Sequence, residues 1–138
     1  MKTLVSLLVL LVTSFITNAQ NGVSVEVTIN NVRSSEGSVI FSLHTAETFM
    51  KGPGIQNAVV TEIKDGTAKA VFENVAPGSY AIMAMHDANN NQTMDFQPNG
   101  MPKEDYGMSN NDMAFGPPNF ETAKFEVTNQ NLTFTIRF

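Results

Sequence analysis

Cysteine is missing from the 138-residue chain. A disulfide framework, which stabilises many small secreted domains, is therefore excluded, and so is attachment of a lipid to a cysteine behind a signal sequence. A domain of about 120 residues does not need disulfides, because it buries about two-thirds of the surface that its unfolded chain exposes. If the chain is exported, the absence of cysteine suits a bacterial periplasm or cell exterior better than a eukaryotic secretory route.

Positive charge is also scarce. The chain has 8 Lys and Arg against 13 Asp and Glu, which gives a formal net charge of −5. Much of the imbalance lies in residues 86 to 112, where Lys103 is the single basic residue beside Asp87, Asp95, Glu104, Asp105 and Asp112. Nucleic acid is excluded as a partner, because phosphate binding needs a positive surface. The acidic segment instead favours a bound cation, with a solvated acidic surface as the simpler alternative.

Only one long apolar run is present, the 13 residues Leu4–Ile16. A membrane span needs about 20 apolar residues, so a retained membrane anchor is the weaker interpretation. Lys2 precedes the run, and Thr17-Asn18-Ala19 places small residues where signal peptidase cleaves. We therefore expect residues 1–19 to be a signal peptide. Residues 20–138 would then be exported to the periplasm or the extracellular space, with no membrane span after cleavage.

No long helix is predicted, and alternation of apolar and polar residues indicates strands instead. Val23 to Ile29 alternates strictly, and Val39 to Leu43 is predicted as its hairpin partner. Asp65-Gly66 predicts a second hairpin between two further strand-like runs, Val59 to Ile63 and Thr67 to Phe72.

Three more strands follow. Tyr80 to Met85 is apolar on both faces, which is typical of a central strand that is covered on both sides. Ala123 to Thr128 and Leu132 to Phe138 complete a total of about seven. The predicted fold is therefore all-β, a single antiparallel β-sandwich of the prealbumin-like or immunoglobulin-like kind. Residues 87 to 122 would form one long loop, ordered by its own apolar side chains.

The start of that loop carries the candidate site. Counting Asp87 as position 1, the oxygen-bearing residues at positions 1, 3, 5, 7 and 9 are Asp87, Asn89, Asn91, Thr93 and Asp95. Calcium loops use this order, with side-chain oxygens at 1, 3, 5 and 9 and a backbone carbonyl at 7. With only two carboxylates, the affinity for Ca²⁺ should be weak, at a Kd of about 10⁻⁴ to 10⁻³ M.

Two departures exclude an EF-hand. Position 6 is Gln92 instead of Gly, and position 12 is Pro98 instead of Glu. A further ligand would have to come from Glu104, Asp105 or Asp112. The alternative is an Asn-rich turn that is held by its own hydrogen bonds.

Two other chemistries remain open. His86 with a carboxylate of the loop suggests a small hydrolase, but His86 and Asp87 should point to opposite faces of a strand and no nucleophile motif accompanies them. A hydrogen-bonded histidine at the edge of the core is the expected role of His86. Six of the eight Met lie between positions 83 and 113, which suggests Cu(I) handling; Met that fills gaps under a long loop explains them more simply.

Three stretches together resemble a known family: "PGSYAIMAMHDANNNQTMD", "GMPKEDYGMSNN" and "FGPPNFETAKFEV". They are similar to domain-of-unknown-function family twenty-one forty-one, an uncharacterised family of exported bacterial proteins. The family's first loop motif maps onto His86, Asp87, Asn89, Asn91 and Asp95, and its second maps onto Pro102, Glu104, Tyr106, Gly107, Ser109 and Asn110.

The resemblance implies a small β-sandwich outside the cytoplasm, without an established activity. Asp105 stands where the family often has Gly, and Gln92 stands where Gly is common. We therefore expect an exported, non-enzymatic binding or accessory module for an unknown ligand or surface partner, with a calcium-type cation in the loop. A small hydrolase is the alternative.

Overall fold

The structure is a computed structural model that describes residues 22–112 and 116–138. The predicted signal peptide, residues 1–19, lies outside the described residues. The described chain contains a short 3-10 turn, Ser109–Asn111, and one short helix, α1, Phe120–Ala123. Its strands are β1 Val23–Ile29, β2 Ser38–His44, β3 Gln56–Val60, β4 Ala68–Val75, β5 Gly78–Asp87, β6 Tyr106–Met108, β7 Phe125–Val127 and β8 Leu132–Ile136.

The strands form two sheets. The smaller sheet has the order β4-β1-β8, and the larger has the order β3-β2-β5-β6, with β7 also pairing with β5. Every pair is antiparallel except β1 with β8, which is parallel. The prediction of an all-β, largely antiparallel fold is confirmed. The structure has eight strands where the sequence predicts about seven, and the additional strand, β6, lies in the predicted long loop.

The core combines the inward faces of both sheets. Val25 and Val27 of β1 and Phe41 and Leu43 of β2 are fully buried and belong to one apolar cluster. Alternation causes this, since successive side chains of a strand point to opposite faces. Each such side chain contributes about 1.5–3 kcal/mol on burial, so the predicted alternation accounts for the main core.

The predicted hairpin of the first two strands is wrong. β1 pairs with β4 and β8, whereas β2 pairs with β3 and β5. Both strands bury one face fully and the other only in part, and this pattern identifies the buried face without identifying the neighbouring strand. The two strands lie in different sheets and contribute side chains to the same core.

The Asp65-Gly66 turn forms, but the predicted hairpin around it does not. Asp65 and Gly66 both have positive φ, 51° and 72°, as a tight two-residue turn requires. Pairing stops at a single bridge between Lys64 and Thr67. The strand before the turn is Gln56–Val60 and pairs with β2, whereas β4 pairs with β1, so the turn leads the chain from one sheet to the other.

The prediction that β5 is a central strand is confirmed, and its outer face is covered in part. Ile82 and Ala84 face the main core, and Ala81 belongs to a second apolar cluster on the outer face of the larger sheet. Phe49, from the turn that follows β2, and Ala123 of α1 cover that outer face.

The long loop contains more regular structure than its sequence predicts. Residues 87 to 122 include β6, the 3-10 turn, most of α1 and an isolated bridge between Phe96 and Pro102. The predicted strand from Ala123 starts later, because Ala123 ends α1 and β7 begins at Phe125. Within the described ranges, no helix combines the length and the apolar character that crossing a membrane requires.

Candidate functional site

Asp87, the last residue of β5, holds the first residues of the acidic loop by hydrogen bonds. Its side chain is fully buried. The Oδ1 atom accepts a hydrogen bond from the backbone N–H of Asn91 at 3.1 Å, and Oδ2 accepts one from the backbone N–H of Gln92 at 2.8 Å. Burying a carboxylate is costly unless it is hydrogen-bonded, and these two backbone groups meet that need. Asp87 therefore ties the loop back onto the strand that it leaves.

Asn89 and Asn91 connect the loop to Asp95. The Nδ2 of Asn89 donates to the Asp95 Oδ2 at 2.7 Å, and the Nδ2 of Asn91 donates to the same oxygen at 2.9 Å. Their Oδ1 atoms accept from backbone N–H groups: Asn89 from Asn91 at 3.3 Å, and Asn91 from Thr93 at 3.1 Å. The structure thus brings four predicted residues into one hydrogen-bond network, and the N–H of Thr93 joins it.

Asp95 is the acceptor at the centre of this network. The pKa of its carboxyl is lowered, mainly by the hydrogen bond from Asn89 and next by its contact with Glu104. The backbone N–H of Asp95 donates to Glu104 Oε2 at 2.7 Å, and its carbonyl accepts from the N–H of Lys103 at 2.8 Å. The returning chain therefore places the Glu104 carboxylate beside Asp95.

The backbone of the loop makes the turn that glycine makes in calcium loops. Gln92, at position 6, has a φ of 62°, and Asn90 has a φ of 55°. Glycine is the default residue in this left-handed region, and calcium loops of the EF-hand type place it at position 6. The departure at Gln92 is therefore one of residue type, and the sharp turn is still present.

The three candidates for a further ligand differ in position. Glu104 contacts Asp95, whereas Asp105 forms an ion pair with Arg33 at 3.4 Å between Oδ2 and Nε. Asp112 lies further along the chain, beyond β6 and the 3-10 turn. Over residues 22–112 and 116–138, no three side chains of Asp, Glu, His and Cys are gathered as in a metal site. A cation in this loop would therefore depend on the amide oxygens of Asn.

A cavity of about 390 Å³ adjoins the loop. Its walls carry both signs of charge, and its charged and polar lining includes Arg33, His86, Asn89, Asp95, Lys103 and Glu104. The candidate cation loop is therefore open to a space that a small ligand could enter.

His86 lies at the edge of the core, as its sequence context predicts. It is 5% exposed and shares the inward face of β5 with Ile82 and Ala84. Its Nε2 donates to the backbone carbonyl of Glu36 at 2.8 Å, and its ring stacks on Phe138 with the centroids 6.5 Å apart. Because a carbonyl only accepts, Nε2 carries the proton. Among the described contacts of the ring, none joins it to a carboxylate or a hydroxyl.

The family is identified by a match over most of the chain. The model of a family described as "Uncharacterized protein conserved in bacteria (DUF2141)" matches residues 27–135. The chain belongs to this family. The resemblance drawn from its motifs is thereby confirmed. No curated protein and no solved structure matches the chain.

The second motif of this DUF2141 chain connects the loop to the rest of the fold. Gly107 of β6 lies against β8, where an added Cβ would be 2.3 Å from the Arg137 carbonyl oxygen and 2.7 Å from Cγ2 of Ile136. Ser109 is fully buried; its Oγ accepts from the backbone N–H of Ile82 at 3.0 Å and donates to the carbonyl of Ala123.

Two asparagines extend this attachment. The Nδ2 of Asn110 donates to the carbonyls of Thr122 and Lys124 beside α1. Asn111 donates to the Thr135 carbonyl and accepts from the N–H of Arg137, both at 2.8 Å. Its amide thus pairs with the edge of β8 much as a neighbouring strand does.

The prediction of one long loop over residues 87 to 122 does not include these specific attachments. The available signal was the run Ser109-Asn110-Asn111, three short side chains that hydrogen-bond readily to backbone groups.

Proposed function

We propose that this DUF2141 domain is an exported β-sandwich that acts as a non-enzymatic binding module, and that its loop from Asp87 to Asp95 takes up a calcium-type cation. The observation that carries the proposal is the convergence of Asp87, Asn89, Asn91 and Asp95 in one hydrogen-bond network at the start of the loop. The ion would hold the loop in one conformation and present it, with the adjoining cavity, to a ligand or surface partner.

The donor chemistry supports a hard cation. Calcium takes six to eight oxygen ligands at about 2.3–2.6 Å, from carboxylates, amide oxygens, backbone carbonyls and water. In the proposed site Asp87 and Asp95 supply carboxylates, Asn89 and Asn91 supply amide oxygens, and Thr93 supplies its backbone carbonyl. Glu104, which already contacts Asp95, would supply the carboxylate that is missing at position 12.

Closure of the loop by its own hydrogen bonds is the competing interpretation. The amide nitrogens of Asn89 and Asn91 face the Asp95 carboxylate, so two N–H donors neutralise it in part without an ion. Binding of a cation requires both amides to turn their oxygens towards it. The two interpretations therefore differ in whether the stability of the fold depends on calcium.

Thermal unfolding of Gln20–Phe138 in calcium and in a chelator separates them. At 100 times its Kd, calcium should raise the free energy of unfolding by about 2.7 kcal/mol, or Tm by about 10 °C. Asp95→Asn keeps an acceptor oxygen for the two amides but removes the charge, and it should abolish the calcium effect. Asp87→Ala should abolish it too, while lowering Tm even in the chelator, because two backbone donors lose their acceptor.

Asp65→Asn is the matched control for Asp95→Asn, since Asp65 is exposed and lies in the turn before β4, outside the loop from Asp87 to Asp95. It should keep the full response to calcium. Equal Tm values of the wild-type chain in calcium and in chelator would contradict the cation site.

The binding-module part of the proposal is supported by the environment of His86. A general base needs a reacting group within hydrogen-bond reach, and the described contacts of this ring are a backbone carbonyl and Phe138. The hydrolase alternative would require a substrate in the adjoining cavity to reach the ring, whose Nε2 is already bonded to the Glu36 carbonyl.

A further inference from the structure

A short segment after β2 covers part of the outer face of the larger sheet. We call residues 45–51 the clasp. Its Phe49 is 4% exposed and packs with Ala81, Met108 and Ala123 in the second apolar cluster. The Phe49 ring also meets Phe120 of α1 edge-on, with centroids 5.8 Å apart. Phe49 therefore anchors the clasp by apolar contacts.

His44 is the polar anchor of the clasp. It is 5% exposed, and its ring meets Phe49 edge-on at 5.9 Å and 84°. Its Nδ1 lies 3.2 Å from the Thr48 Oγ1, which also accepts from the backbone N–H of Thr45 at 3.1 Å. The His44 imidazole thus contacts both the Thr48 hydroxyl, which hydrogen-bonds within the clasp, and the Phe49 ring, which packs the clasp against the sheet.

The environment of His44 disfavours a charged imidazole. Burial lowers its pKa below the ordinary value of 6.5, and a hydrogen bond with the Thr48 backbone opposes this shift only in part. The charged groups of the clasp are Glu47 and Lys51, and neither contributes to the lowered pKa of His44.

Among the described residues, no carboxylate of a neighbouring element contributes to the pKa of His44 either. On α1 and its cap, Glu121 and Lys124 form an ion pair with each other at 2.6 Å. On β5, the residue opposite His44 is the uncharged Ala81. A proton added to His44 would therefore remain a poorly compensated charge while the clasp is closed.

We propose that His44 makes the clasp acid-sensitive: protonation of the imidazole releases residues 45–51 from the sheet and uncovers the apolar surface beneath Phe49. The clasp should open more readily than the sheet, because β2 is paired with a strand on each side. The backbone of the clasp has only a few local hydrogen bonds, such as the one from the Phe49 N–H to the Thr45 carbonyl at 3.0 Å.

Opening would enlarge an apolar surface that is already present. Cross-strand pairing places Val59, Ile40, Met85 and Tyr106 in one row across the outer face of the larger sheet. Val59 and Tyr106 are 54% and 38% exposed. The row that contains Met83 and Met108 comes next, towards Phe49. A released clasp would therefore join the covered and the open apolar surfaces.

Amide hydrogen exchange of Gln20–Phe138, followed by NMR at pH 7.5 and pH 5, tests the proposal. After correction for intrinsic exchange rates, the opening equilibrium constants measured at the Phe49 and Gly52 amides should be several-fold larger at pH 5 than at pH 7.5. The ordinary histidine pKa of 6.5 limits the rise to about 30-fold. Amides of the paired strands, such as Phe41 and Ile82, should stay protected.

Two replacements of His44 and one control sharpen the test. His44→Phe keeps a ring against Phe49 without a titratable group, and opening should become independent of pH. His44→Gln serves the same purpose if the larger apolar ring prevents folding. Glu47→Gln removes the carboxylate of the clasp and should leave the acid response unchanged.

Other results would overturn the proposal. These are equal opening of the wild-type clasp at both pH values, an acid response that persists without His44, an acid response that disappears in Glu47→Gln, or a His44 pKa at or above 6.5 in an NMR titration.

Discussion

At the scale of single residues, Asp87 shows how one side chain can serve the fold and a candidate site together. Its spacing to Asn89, Asn91 and Asp95 suggests a cation ligand, and its contacts make it an acceptor for two backbone N–H groups. Both roles need a short carboxylate at the end of a strand. Its contribution to stability is therefore measurable without any metal.

Asp87→Asn should destabilise the fold in chelator. An amide presents one oxygen and one NH₂ group, so one of the two backbone donors loses its acceptor at a buried position, at a cost of about 1–3 kcal/mol. Urea unfolding measures the loss. Asp65→Asn, at an exposed position, should stay within about 0.5 kcal/mol of wild type; a similar result for Asp87→Asn would show that its hydrogen bonds do not stabilise the loop.

Asp95 should contribute to the acid dependence of stability. Its pKa is lowered in the folded chain, mainly by the hydrogen bond from Asn89, so its contribution is present above its ordinary value of 3.8 and is lost as pH falls through the lower folded value. Tm measured from pH 6 to pH 2 in chelator should therefore fall less steeply in Asp95→Asn than in wild type. Parallel curves would contradict this prediction.

At the scale of elements, β6 and the 3-10 turn attach the long loop to both sheets. β6 pairs with β5, and Asn111 hydrogen-bonds to the edge of β8. The close approach of Gly107 to β8 makes this attachment possible, because any side chain there would meet backbone atoms.

Gly107→Ala should destabilise the fold by about 1–3 kcal/mol, since a Cβ 2.3 Å from the Arg137 carbonyl oxygen forces β6 or β8 to shift. The midpoint of urea unfolding reports the change. Gly52→Ala is the matched control, because a Cβ at Gly52 would have no neighbour within 4 Å. Equal midpoints for the two variants would mean that β6 moves away from β8 without cost.

At the scale of the whole molecule, the predicted signal peptide makes export directly testable. If residues 1–19 are a signal peptide, a bacterial host should deliver a chain that begins at Gln20 to the periplasm or the medium. Leu8→Arg places a charge within the apolar run and should hold the full-length chain in the cytoplasm. Fractionation and intact mass measure both outcomes, and a wild-type chain that keeps Met1 to Ala19 would refute the signal peptide.

The amino-acid pattern alone indicates which residues of a strand face the core. Strict alternation over Val23 to Ile29 predicted a strand with Val25 on its buried face, and apolar residues at both parities predicted β5 as a central strand. These features are local, because side-chain direction follows from strand geometry alone. Spacing likewise placed Asp87, Asn89 and Asn91 in one tight loop.

The packing of the whole chain controls which strands pair and which atoms meet. β1 and β2 each supply a buried face, and that face does not specify a neighbouring strand, so only the packing of the complete core separates them into two sheets and places β8 parallel to β1. The same holds at the loop, where the bridge between Phe96 and Pro102 returns the chain so that Glu104 reaches Asp95. Contacts between residues distant in sequence depend on the whole fold, and no local pattern encodes them.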